Sequence, residues 1–194
     1  MMPLNSAHDS DTSVAFGALV GLQLVRSKNL QGTRHFYFAR PLSVGAPAHC
    51  TLGLECPWRI RLNDVIVVGS EDYYERAEDN TDPAWELGMP GGHFQDQKFA
   101  GLLGELREGD VVNTGTDFIV TAVTLDGCGG MQIHLGHDYV LEAFPSSAKR
   151  MEWILRVPGQ PSWVLMNGVV NKTRRARGGS EREGDAAAPH PDSA

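Results

Sequence analysis

Cysteine is scarce in this 194-residue chain. Cys50, Cys56 and Cys128 are odd in number and form no C-x-x-C pair, which argues against an extracellular disulfide framework and fits reduced thiols in a cytoplasm. Long apolar runs are missing too: none approaches the roughly 18 residues that a membrane span needs. The first apolar stretch follows Asp9 and Asp11 with no basic residue before it, unlike a secretory signal. Positive charge is in deficit, 17 Lys and Arg against 24 Asp and Glu, for a net charge of −7. A nucleic-acid partner is therefore not expected, because phosphate neutralisation needs a basic surface. No G-x-S-x-G elbow, P-loop, dinucleotide fingerprint or H-E-x-x-H helix occurs, so no catalytic residue, cofactor or metal is assigned.

What is present is a two-residue alternation through residues 51–62. Leu52, Leu54, Cys56, Trp58, Ile60 and Leu62 share one parity; Thr51, Gly53, Glu55, Pro57, Arg59 and Arg61 share the other. Extended backbone puts two such sets on opposite faces, so the spacing predicts one strand with Cys56 and Trp58 turned into the core. Pro57 lacks an amide hydrogen, which predicts an edge position or a bulge there. Further strands are expected at 18–26, 33–39, 65–70, 117–125, 130–136, 138–144, 151–157 and 162–168. Asn63-Asp64 reads as a two-residue hairpin turn, which would set Arg61 across from Ile66 and Arg59 across from Val68. Phe99, Leu102, Leu103 and Leu106 line one helical face and predict a helix over 94–107, weakened by Gly101 and Gly104.

The fold class expected from this pattern is α+β and mainly antiparallel β, a single sheet-rich domain over residues 14–170 with one main helix packed on the sheet. Residues 1–13 read as a disordered leader. Residues 171–194, with Lys172, Arg174, Arg175 and Arg177 and little apolar content, read as a disordered charged tail. Between the halves, residues 77–93 have the composition of a long loop.

The run Cys56-Pro57-Trp58-Arg59-Ile60, followed by Val68-Gly69-Ser70-Glu71-Asp72-Tyr73-Tyr74, resembles an uncharacterised bacterial family, a domain of unknown function. Gly21-Leu22-Gln23-Leu24, Leu141–Ser147 and Glu152-Trp153-Ile154-Leu155 extend the resemblance over roughly residues 18–168. It implies a small cytosolic domain and carries no catalytic or binding residues with it.

Two functions are weighed. Residues 71–86 hold seven acids against Arg76 alone. Glu71, Asp72, Glu75, Glu78 and Asp79 thus form a candidate interaction surface for a basic protein partner, steered by charge. This favours a non-catalytic cytoplasmic protein-interaction module of accessory or immunity type. The alternative is a small-ligand-binding or enzymatic domain whose pocket lies at the Pro57 distortion and uses Arg59, Glu55 and Tyr73. The fork of Arg59 would read a carboxylate or phosphate; otherwise Arg59 and Arg61 pair with Glu55 or the acidic loop. His134 and His137, three apart on extended backbone, face opposite ways and make a poor chelating pair.

Overall fold

The computed structural model describes residues 6–30, 32–41, 49–75, 93–107, 110–113 and 118–173. In chain order these form helix α1 (Ser6–Gly17), strands β1 (Gln23–Leu30), β2 (Thr33–Ala39), β3 (Cys50–Leu54), β4 (Trp58–Leu62) and β5 (Val65–Gly69), and a 3₁₀ turn (Glu71–Tyr74). Helix α2 (Phe94–Leu103) follows, then β6 (Gly104–Arg107), β7 (Asp110–Asn113), β8 (Val120–Leu125), β9 (Met131–Leu135), β10 (Tyr139–Ala143), β11 (Met151–Arg156), β12 (Ser162–Met166) and β13 (Val169–Thr173).

All pairings among the described residues are antiparallel, but they form two sheets where one was expected. One has the order β13-β12-β11-β3-β2-β1-β7-β6, the other β5-β4-β10-β9-β8. The zigzag of residues 51–62 keeps its alternation yet is not one strand. It breaks at Glu55-Cys56-Pro57, so β3 belongs to the larger sheet and β4 to the smaller. Its partner turns the same corner in reverse. β10 pairs with β4 (Ala143 opposite Trp58) and β11 pairs with β3 (Trp153 opposite Leu54). The amides of Glu55 and Cys56 both donate to the Glu152 carbonyl, and the Phe144 amide donates to the Pro57 carbonyl. Pro57 thus sits at a corner rather than on an edge strand; β4 is flanked by β5 and β10. A residue with no N–H costs least where the ladder is already interrupted.

The two sheets share one core. Leu52, Leu54, Cys56, Trp58 and Ile60 are all buried in it, as the alternation required, whereas Leu62, of the same parity, is only half-buried at the end of β4. Trp58, Phe36 and Phe99 meet with ring centroids 5.3–5.9 Å apart, joining the smaller sheet, the larger sheet and α2. Near the other end Phe16 packs edge-on against Trp153 at 5.2 Å, and the Trp153 indole donates to the Gly129 carbonyl at 2.8 Å.

Several boundaries differ from those expected. The leader is helical from Ser6, and Ala15 and Phe16 at its end enter the core, which fixes that end. The strand expected at 18–26 begins only at Gln23, because residues 18–21 form turns that tie Gly21 to Val120. Helix α2 stops at Leu103: Gly104 adopts φ 116° and its amide caps back to the Ala100 carbonyl. The chain then continues as β6 instead of carrying the helix to Arg107. Asn171, Lys172 and Thr173, assigned to the tail, pair with β12. The hairpin turn is two residues long as expected, with Leu62 opposite Val65 and Arg61 opposite Ile66. An irregularity between Ile60 and Arg61 then places Arg59 across from Gly69, not Val68.

Candidate functional site

The corner at Pro57 borders a cleft of about 120 Å³, whose lining includes Glu55, Pro57, Trp58, Glu71, Tyr73 and Tyr74. Several elements build it, β1 and α2 among them through Asn29 and Gln95. The β3–β4 corner supplies Glu55 and Pro57, the 3₁₀ turn supplies Glu71 and both tyrosines, and β2 supplies Arg34 to the lining.

Arg34 is the site residue that the sequence reading missed. It is 1% exposed, and it shares the parity of Phe36 and Phe38, so the alternation of 33–39 already places it inward. Its guanidinium meets Asp96 Oδ1 at 2.6 Å, its Nε donates to Ser27 Oγ at 2.7 Å, and Nη1 donates to Gln95 Oε1 at 3.2 Å. The plane lies 4.1 Å over the Phe99 ring. Gln95 then passes its amide on to the carbonyls of Gly69 (2.8 Å) and Ser70 (3.3 Å). This relay ties α2 to β2 and to the end of β5, and so holds the 3₁₀ turn beside the corner. A buried guanidinium is tolerable here because a carboxylate and several acceptors surround it.

The three proposed ligand contacts are divided. Glu55 is exposed, accepts from Thr33 Oγ1 at 3.1 Å and borders the cleft; Tyr73 borders it as well and stacks on buried His93 at 4.2 Å. Arg59 faces elsewhere. On the outer side of the smaller sheet its Nε donates to Glu142 Oε2 at 2.6 Å, while Arg61 Nε and Gln132 Nε2 donate to Oε1 at 3.2 and 3.3 Å. The partner of the two arginines is thus Glu142, which stands opposite Arg59 in register, rather than Glu55 or the acids of the loop that lie among the described residues. Burial alone would raise the Glu142 carboxyl, but the hydrogen bonds and charges of Arg59 and Arg61 outweigh it and hold the group below its ordinary value. Arg59 also lies 4.9 Å over the Phe144 ring.

Of the five acids proposed as an interaction surface, Glu71 and Glu75 are exposed. Asp72 is half-buried and structural, accepting from the Gly69 amide at 2.7 Å. Glu78 and Asp79 lie outside the described residues.

Buried Cys56 borders this region without the properties of a nucleophile, and Cys50, at the start of β3, lacks them as well. Burial, aided by the charge of Glu152, pushes the Cys56 thiol to about 12, and burial pushes Cys50 to about 11. Neither holds an appreciable thiolate near neutral pH. Among the described residues no group of three His, Cys, Asp or Glu side chains is placed to hold a metal ion. No described helix is long and apolar enough to cross a membrane.

No family model, curated protein or solved structure matches this chain.

Proposed function

We propose that this protein is a non-catalytic interaction module, accessory or immunity-type, that captures a basic segment of another protein at the Pro57 cleft. The observation that carries this reading is the composition of the cleft mouth. Glu55 and Glu71 stand there with no cation partner among the described residues, beside Tyr73 and a Tyr74 that is 73% exposed. The charge of Arg34 beneath them is already matched by Asp96. Carboxylates flanked by aromatic faces suit a lysine or arginine side chain, which gains both ion pairing and cation–π contact. A bacterial cytoplasm is the setting in which we place it, in keeping with three cysteines that are not joined in a disulfide.

The test is capture from the native host with the wild-type protein and with E55K/E71K. Both positions are exposed, so the double variant should melt at the wild-type temperature. A partner retained by wild type, released by salt and lost from the variant supports the reading. Equal recovery by both proteins refutes it. R59A should leave capture unchanged, because Arg59 is committed to Glu142 away from the cleft; loss of capture in R59A would favour the small-ligand alternative.

A further inference from the structure

We propose a second site on the outer face of the larger sheet: a hollow at the ends of β3 and β11 that binds a phosphoryl group. It measures about 250 Å³ and is lined by His49, Thr51, Arg156, Gln160 and Ser162 together with the 157–159 turn. Every polar side chain in that lining can donate a hydrogen bond, and no carboxylate among the described residues borders it. In a chain with a net charge of −7 that composition is against the grain.

Register explains how the donors converge. Arg156 stands opposite Thr51 across the β3–β11 ladder, so both point outward from the same place on the sheet. Gln160 donates its backbone amide to the Val157 carbonyl, closing a turn with Gly159 at φ 82° that brings Ser162 back beside Arg156. Arg156 is exposed and has no ion pair or hydrogen bond among the described residues. Its charge is felt nearby: His35, packed over Gly53, has its imidazole lowered by burial and then by Arg156.

A guanidinium fork flanked by an imidazole N–H and two hydroxyls matches the oxygens of a tetrahedral anion better than the two of a carboxylate. The site is independent of the acidic cleft, and its occupant carries the opposite charge.

Inorganic phosphate is the probe, titrated into the full chain at fixed ionic strength and followed by backbone amide and histidine ring resonances, with acetate as a parallel arm. The expected result is saturable, millimolar binding that moves Thr51, the His49 ring and residues 159–162. R156Q should weaken it by about ten-fold or more at an unchanged melting temperature, as loss of a charge-assisted contact would. R156K should retain part of the affinity. Non-saturable shifts, shifts mapping elsewhere, or R156Q binding like wild type would overturn the proposal. Acetate binding as tightly as phosphate would overturn its choice of ligand.

Discussion

Two guanidinium–carboxylate contacts in this chain have the same length and opposite surroundings. Arg34 meets Asp96 at 2.6 Å with side chains 1% and 5% exposed. Arg59 meets Glu142 at 2.6 Å with side chains 40% and 5% exposed. Distance therefore does not decide what each contributes; the burial of the arginine and the other donors around the carboxylate do. Removing Arg34 would take from buried Asp96 the guanidinium that it meets at 2.6 Å. Removing Arg59 leaves Glu142 with Arg61 and Gln132 still donating to it. The inner pair fastens α2 to β2, whereas the outer cluster clasps β4, β10 and β9 across a solvated face.

The sharpest way to break that comparison is R34A. It should cost about 3–5 kcal/mol in urea unfolding, the range for removing one member of a buried ion pair. R34M/D96L, which removes both charges, should recover most of that loss; a double variant as unstable as R34A would show that packing rather than charge is at stake. Next comes E142A, which deprives two arginines of their common acceptor. Partial solvation of both guanidinium groups limits the expected loss to about 1–3 kcal/mol. R59A should cost no more than about 1 kcal/mol, part of it from uncovering Phe144, and added salt should shrink its effect but leave that of R34A intact. A loss in R59A equal to that in R34A would abolish the distinction.

The smallest effect is a slope. Because the folded Glu142 carboxyl sits below its ordinary value of 4.5, its contribution is fully present above that pH. It is lost as the pH falls through the lower folded value, since the unfolded chain then binds the proton more readily. Melting temperature followed from about pH 6 to about pH 3 should fall less steeply in E142Q than in wild type. Identical slopes would show that the arginines do not hold the carboxyl down.

The difference between the two clusters also explains how much of each could be read beforehand. Arg59 and Arg61 stood out as cations alternating with core residues, and their outward direction followed from parity alone. Their acceptor did not, because Glu142 lies 83 residues away in sequence from Arg59 and is brought opposite it only by the β4–β10 ladder. For Arg34 the inward parity was visible beside Phe36 and Phe38. The partner that makes an inward arginine tolerable comes from α2, 62 residues on. The site at Pro57 shows the same division. Pro57 signalled a distortion, and Glu55 and Tyr73 do border the cleft there. Arg59 was grouped with them on proximity in sequence, and the corner turns it to another face.

Alternation by itself determined the inward direction of Leu52, Leu54, Cys56, Trp58 and Ile60, since side-chain direction in extended backbone depends only on parity; depth of burial did not follow from it, as Leu62 shares that parity and is only half-buried. Turn chemistry likewise set the two-residue link at Asn63-Asp64, where Asn63 takes φ 52°. Glycine was visible as a weak point in the helix, but its role as terminator at Gly104 required a following strand to continue from it. The partition into two sheets belongs to tertiary structure alone. A strand that bends at Pro57 preserves its parity, so a flat ribbon and a cornered one read identically in sequence. Only the partner, β10 and β11 turning the same corner around Glu152, decides between them.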